Sequence, residues 1–307
     1  MKKKWSRYPA RTFYAFTAPW TVGFLLLTAV PLIYGFAVSL TNFDGVSPRW
    51  KFVGLRNYFE LLTDGDLWVS LFRTLGFAAI VVPLSVAGAL GLAVMLNRRL
   101  RAVGVWRTIF FLPSVVPVVA LAIMWKLVLN KDSGILNALL GSVGIEKISW
   151  LTDPMAFYAL VIMTLWGLGG GMVILLAALQ GVPVELEEAA TVDGASKWSV
   201  FWHVTVPMIS PILFFQVITG VIGALQILVQ PLLLTPAGGI TGASSVPESN
   251  RLYMIRVYEE FFTKNRFGYG SAMLWVYFVV ILALTLVLLR SSRSAVYYEV
   301  DMDGEGR

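Results

Sequence analysis

Six uncharged, strongly apolar stretches constrain this 307-residue chain more than any other feature; they cover 12–43, 74–97, 108–125, 154–184, 208–247 and 267–289. Each can supply the roughly 20 apolar residues that a helix needs to cross the hydrocarbon core of a bilayer. In lipid no water satisfies a backbone N–H or C=O, so runs of this kind become helices. Composition agrees: 57% of residues are hydrophobic and 14% charged, against about 25% charged in soluble domains, and mean hydropathy is +0.74. The expected fold class is an all-α integral membrane protein with six transmembrane helices, near 17–40, 73–96, 108–129, 157–180, 208–230 and 268–290. One membrane domain then spans 17–290, between a basic tail over 1–16 and a second tail over 291–307. The first run lacks a small-residue cleavage site and is followed by five more, so it reads as an uncleaved anchor and not as a signal peptide.

Charge placement orients the spans. Lys2, Lys3, Lys4, Arg7 and Arg11 precede the first run, and Arg98, Arg99, Arg101 and Arg107 follow the second. The positive-inside rule puts both groups in the cytoplasm, and six spans return Arg290 and Arg293 to that side. The fold is therefore expected to be N-in and C-in. The net charge of +6 is accounted for by topology and membrane lipid headgroups and calls for no nucleic-acid partner.

Several chemistries are excluded. The chain has no cysteine and one histidine, His203, read as structural; a thiol nucleophile, a disulfide or a cysteine metal site is ruled out. No Gly-x-x-x-x-Gly-Lys-Ser/Thr phosphate loop occurs, so the chain is not itself an ATPase. An ion-coupled secondary transporter would carry ionisable residues in mid-membrane, and the centres of the six runs carry none. An intramembrane enzyme would need nucleophile and base, or metal ligands, that the runs also lack.

Between the fourth and fifth runs lies a polar stretch over 181–207, on the cytoplasmic side of this topology. Pro183 opens a helix, Glu185, Glu187 and Glu188 suit its positive N-terminal end, and Gly194 supplies a left-handed stop. A helix of about two and a half turns results. Ser196 is a cap for a second helix, on which Trp198, Phe201, Trp202 and Thr205 share one face before Pro207 interrupts it. The loop is acidic, with only Lys197 opposing Glu185, Glu187, Glu188 and Asp193, which points to a protein contact and not a lipid one.

Glu188, Ala189, Ala190, Asp193, Gly194, Ala195, Phe201 and Pro207 resemble the cytoplasmic Glu-Ala-Ala loop of ABC importer permeases. The resemblance implies the type I importer permease fold, in which the helix holding Glu188, Ala189, Ala190, Asp193, Gly194 and Ala195 is a coupling helix docked in a groove of the ATPase. Phe52-Val-Gly-Leu-Arg-Asn-Tyr58, Phe111-Leu-Pro113, Trp125, Gly134-Ile-Leu-Asn137, Trp166 and Arg266-Phe-Gly-Tyr-Gly270 are similar to the carbohydrate-type importers of the maltose and glycerol-3-phosphate group, and to the first of their two permeases. Implied partners are a second homologous permease, two copies of a nucleotide-binding ATPase subunit, an extracellular or periplasmic solute-binding protein and a carbohydrate. This chain would bind no cofactor, ATP and Mg²⁺ residing on the ATPase, and would sit as a multi-pass protein in a bacterial or archaeal cell membrane. Glu187 departs from the family pattern, standing where many relatives place an aromatic residue, and Leu234-Thr-Pro-Ala-Gly-Gly239 only approximates the family's Gly-Gly-Pro turn.

The substrate pathway is sought among polar residues inside the spans. Thr219, Gly223, Gln226 and Gln230 fall at i, i+4, i+7 and i+11, one face of a helix running to 230. Uncharged hydrogen-bonding groups suit sugar hydroxyls, but the same stripe also suits packing against a second permease. Lys126 is the one charge near a span and can snorkel to the interface. Trp125, Trp166 and Trp275 can stack on sugar rings or form aromatic belts. Gly167, Gly169, Gly170 and Gly171 permit close helix approach or a local break, close packing being preferred. With no other cation in the spans, a neutral sugar or oligosaccharide is preferred over the alternatives, glycerol-3-phosphate or an acidic oligosaccharide.

Overall fold

The computed structural model describes residues 10–48, 50–98, 101–235 and 240–295. Lys2, Lys3, Lys4, Arg7, Arg99, the turn from Pro236 to Gly239 and the tail with Asp301, Asp303 and Glu305 lie outside them. Regular structure among the described residues is helical, apart from one isolated bridge between Thr41 and Phe52. Three helices, Thr12–Ser39, Gly65–Asn97 and Phe267–Ser291, are long and apolar enough to cross a membrane. Three further spans are broken pairs, bringing the count to six.

The chain forms two compact units. The first comprises the chain up to Asp64 together with Glu260–Phe278. It opens with α1 (Ala10–Phe24), a π turn at Leu25–Ala29 and α2 (Val30–Ser39). Pro31 has no N–H to give the carbonyl four residues back, and the chain adjusts with the wider turn, in which the Val30 N–H reaches the Leu25 carbonyl. After α3 (Arg56–Thr63), buried Asn57 donates to the carbonyls of Ser39 and Thr41, each at 2.8 Å, and so closes the end of α2. Gly268 is needed in the same place because a Cβ there would lie 2.0 Å from the Thr41 carbonyl oxygen.

The second unit comprises Gly65–Glu259 and the chain from Val279. Its central element is α4 (Gly65–Asn97), which starts eight residues before the expected 73. The added stretch carries Asp66 and Arg73, and both are paired: Arg256 lies 3.3 Å from Asp66, and Arg73 lies 2.7 Å from Glu248. The third span is α5 (Val103–Val115) and α6 (Val118–Val128), bent by 100°. Val116 precedes Pro117 and is forced into an extended conformation, which ends α5. After α7 (Ile135–Ser142), the fourth span is α8 (Met155–Leu165) and α9 (Gly169–Gln180), bent by 44° at the glycine-rich stretch. Those glycines serve both purposes foreseen for them, since a Cβ on Gly169 would lie 2.0 Å from the Phe110 carbonyl oxygen of α5.

The polar loop carries α10 (Val184–Val192), α11 (Lys197–Val200), a second π turn at Phe201–Thr205 and α12 (Val206–Met208). Pro207 does not interrupt this run, contrary to the sequence expectation. The π turn absorbs it, as at Pro31, and the 68° break falls at Ile209 before α13 (Ser210–Leu225). α13 ends at Leu225, short of the expected 230, and Gln230 lies in the separate α14 (Val229–Leu233). Between the fifth and sixth expected spans lies α15 (Tyr253–Phe262), whose Tyr253, Ile255 and Val257 are buried.

Lipid tails are as apolar as leucine, so small side chains and close contact hold these spans together. Ala89 and Ala93 of α4 pack with Met172, Leu175, Leu176 and Leu179 of α9 and with Ile209 at the break before α13. At the other end of α4, Asp153 accepts from the backbone N–H groups of Glu248 (2.7 Å) and Ser249 (3.3 Å), and the Tyr253 N–H donates to Thr74. The hydrogen bond from Arg73 holds the Glu248 carboxyl below its ordinary value of 4.5. A depressed folded value means that the pair contributes above that ordinary value and is lost as pH falls through the lowered one. Glu248→Gln is expected to cost at most about 1 kcal/mol at neutral pH, because the pair is exposed. Thermal melts of the two forms should converge as pH falls below the carboxylate range, and a gap unchanged in acid would contradict the assignment.

Candidate functional site

Local sequence builds the polar loop over 181–207. Pro183 stands at the cap of α10 in extended conformation, one residue earlier than expected, and Glu185 and Glu187 lie in the first turn. The helix has nine residues. It ends in a Schellman motif: the Gly194 N–H donates to Thr191 and the Ala195 N–H to Ala190, both at 3.0 Å, with Gly194 at φ +86°. Ser196 caps α11, its hydroxyl accepting from the Ser199 N–H at 3.2 Å. Glu188, Ala189, Asp193 and Gly194 are exposed, while Ala190 and Ala195 are half-buried. Val192 is 87% exposed and Trp198 71%, which leaves an acidic helix with apolar side chains open to a partner.

Beneath the loop is a recess of about 830 Å³ between the end of α4, at Asn97 and Arg98, and the inner sides of α10 and α11, at Val184, Glu187, Lys197 and Trp198. Trp198, Phe201 and Trp202 form a ring cluster with centroids 5.3–6.3 Å apart, as their shared face predicts. Thr205 points elsewhere, its hydroxyl donating to Glu187 at 2.9 Å. His203 stays within its own helix, its Nδ1 lying 3.0 Å from the Ser199 carbonyl oxygen.

The second feature is a cavity of about 320 Å³ among α4, α8, α9 and α13, with Gln230 at its edge. Its polar lining is Ser85, Thr164, Gln216 and Gln230, and no lining residue is charged. Of the four residues expected on one helix face, Gly223 and Gln230 border it. Thr219 and Gln226 are not in the lining; the Thr219 hydroxyl turns back to the Phe215 carbonyl at 2.8 Å, and Gln226 is the exposed cap that ends α13. The face that does line the cavity runs Gln216, Gly220, Gly223, a stripe at i, i+4 and i+7 that the sequence displays equally well. Gln216 also donates to the Gly171 carbonyl at 3.2 Å, bridging α13 and α9. Lys126 is not in the lining and sits in the last turn of α6, where a cation complements the helix end. Trp125 and Trp166 meet edge to face at 5.6 Å.

Residues 79–297 match the family described as binding-protein-dependent transport system inner membrane component. This chain belongs to that family. Among similar proteins, the probable ABC transporter permease protein YesP of Bacillus subtilis is 37% identical over 93% of this chain and 92% of its own length. The trehalose/maltose transport system permease protein MalF of Thermococcus litoralis is 33% identical over 92% of this chain and 94% of its own. In solved structures the fold resembles a chain of a bacterial alginate ABC transporter in complex with alginate pentasaccharide-bound periplasmic protein, at TM-score 0.80 and 20% identity, covering 92% of this chain and 94% of that one. As an ABC importer permease, the chain is a multi-pass inner-membrane transport subunit; ATP hydrolysis belongs to partner subunits, and import depends on a binding protein.

Proposed function

We propose that this permease carries a neutral sugar or oligosaccharide, with the cavity around Gln216 as its share of the pathway. The observation that carries this reading is the lining: hydroxyl and amide groups on Ser85, Thr164, Gln216 and Gln230, with no charge. Such groups exchange hydrogen bonds with sugar hydroxyls as these leave water. Glycerol-3-phosphate or an acidic oligosaccharide would call for cations that the lining does not supply. The names of relatives agree, trehalose and maltose appearing in that of MalF.

In this reading the N-terminus and the loop over 181–207 are cytoplasmic, and the chain pairs with a second, homologous permease above two copies of an ATPase that hold ATP and Mg²⁺. ATP binding closes the ATPase pair, and α10 moves with the groove in which Glu188, Ala189, Ala190, Asp193, Gly194 and Ala195 are seated. The spans then open outward toward the solute-binding protein, and hydrolysis resets them. The chain makes and breaks no bond; it converts rigid-body motion at α10 into a change of cavity access.

A Cβ on Gly223 meets nothing within 4 Å, so a larger side chain there fills the cavity without strain in the helix packing. Gly223→Phe is expected to leave the thermal midpoint unchanged and to lower ATP-driven uptake of trehalose or maltose in proteoliposomes by at least about tenfold, the factor that accompanies about 1.4 kcal/mol. Thr219→Val should leave uptake unchanged. Wild-type uptake in Gly223→Phe, or uptake driven by an ion gradient without ATP, would overturn the proposal.

A further inference from the structure

We propose that the hydrogen bond between Thr205 and Glu187 is the latch through which movement of α10 reaches the fifth span, making both of them positioning residues for coupling. The inference rests on the coupling-loop reading above.

Threonines in the helices of this chain ordinarily turn the hydroxyl back on the carbonyl four residues earlier. Thr17, Thr21, Thr74, Thr108, Thr164, Thr191, Thr219 and Thr285 all do so, at 2.7–3.0 Å. Thr205 instead donates across to Glu187, eighteen residues earlier in sequence, at 2.9 Å. The departure coincides with the π turn, in which the Phe201 carbonyl accepts from the Val206 N–H five residues on. Thr205 is 6% exposed and Glu187 half-buried, so the bond is sheltered and charge-assisted. π turns inside α-helices recur at functional sites, and here the turn sets a polar link between two helices.

The two ends of the link lead to different places. Glu187 is one residue from Glu188, which is exposed on the same short helix. Thr205 is four residues from Ile209, whose N–H donates to the Thr205 carbonyl at 3.2 Å and whose side chain, 2% exposed, is packed among Ala89, Ala93 and Leu176. From Ile209 the chain enters α13, and seven residues on Gln216 borders the cavity and holds Gly171 of α9. A short path of packed and hydrogen-bonded residues therefore joins the coupling helix to the cavity, with one side-chain hydrogen bond closing it at the loop. Without that bond α10 is still tethered by the chain, but its tilt is no longer imposed on the break at Ile209.

Because the chain has no cysteine, a single Cys in the cavity reports access directly. In the complete ATPase-bound complex, reconstituted in nanodiscs, a membrane-impermeant maleimide labels Gly223→Cys with and without ATP plus vanadate, and labelling of this chain is read by mass. Nucleotide should change the labelling rate within the roughly 5- to 150-fold span typical of allosteric coupling. Adding Thr205→Val or Glu187→Leu should bring the change below about twofold, with subunit composition and nucleotide hydrolysis retained; Thr205→Ser and Glu187→Gln, which keep a donor and an acceptor, should restore it. A wild-type response in either Thr205→Val or Glu187→Leu overturns the latch, as does loss of the response in the two conservative variants. Gly194→Val in the same assay separates the failures. A blunted response there beside a normal Thr205→Val response refutes the latch alone, whereas a normal response in Gly194→Val refutes the coupling-loop reading.

Discussion

Gly194→Val is expected to cut ATP-driven uptake sharply while leaving the permease folded and assembled with its ATPase. Gly194 holds φ at +86° in the Schellman turn that ends α10. A Cβ at this position meets nothing within 4 Å, so the penalty is not a clash but the backbone conformation itself. For L residues the left-handed region costs about 1–2 kcal/mol, and β-branched side chains are true outliers there. The chain can escape by unwinding the last turn of α10, which swings Asp193 and Ala195 out of register with Glu188. Uptake should fall by about tenfold or more, since about 1.4 kcal/mol is a factor of ten. Asparagine tolerates φ above zero, so Gly194→Asn should keep most of the wild-type rate. Uptake and ATPase rates in proteoliposomes, with subunit stoichiometry as control, check this; wild-type transport in the valine variant would remove the turn from the mechanism.

A larger loss of stability is expected from Gly169→Val. The nearest neighbours of a Cβ there are backbone atoms, the Phe110 carbonyl oxygen at 2.0 Å and the Phe111 Cα at 2.7 Å. No rotamer change relieves a clash with backbone, so α9 must move off α5 and the packing with Ala89 and Ala93 opens with it. Overpacking ordinarily costs about 1–3 kcal/mol and can exceed that where nothing yields. At roughly 2–4 °C per kcal/mol for a domain of this order, the melting midpoint in detergent should fall by about 10 °C, or the protein should fail to accumulate. Gly91→Ala, on the same sort of helix with nothing within 4 Å, is the neutral control. A midpoint within about 2 °C of wild type in Gly169→Val would show that the close approach carries no weight.

The two glycines mark the limits of what the sequence reveals. Gly194 was readable because a helix stop is a local matter: acidic first turn, terminal glycine and Ser196 cap are all decided within a few residues. Gly169 was readable only as a glycine inside a span, since its partner at Phe110 is set by tertiary packing. The breaks divide in the same way. Apolar length gave six spans, but lipid imposes only that backbone groups be satisfied, and neighbouring helices can do this around a bend. The third span is expected as one helix over 108–129, and its sharp bend has a local cause in Pro117; the break at Ile209, two residues beyond Pro207, depends on how the π turn accommodates that proline.

The cavity shows the same boundary. Apolar length predicts a fifth span continuous as helix to 230, which phases Thr219, Gly223, Gln226 and Gln230 together. Because α13 stops at Leu225, Gln226 became a cap and Gln230 moved to another element, while Gln216 and Gly220 took the lining positions. Residue type was the sounder guide: uncharged hydrogen-bonding groups on the fifth span do line the cavity, at another phase. Glu187, which differs from the family pattern at its position, is explained only by Thr205, whose approach depends on how the loop folds back on itself.

In the function proposed above, α10 is the surface this permease presents to its ATPase. The most direct measurement places a single cysteine at Val192, 87% exposed on α10, in the complex purified from its own membranes, and treats it with a short thiol-to-amine cross-linker. The expected result is a covalent product of this chain with the ATPase subunit whose yield changes when ATP and vanadate are added. Cross-linking to another membrane subunit or to lipid alone, with the ATPase present and unlabelled, would contradict it.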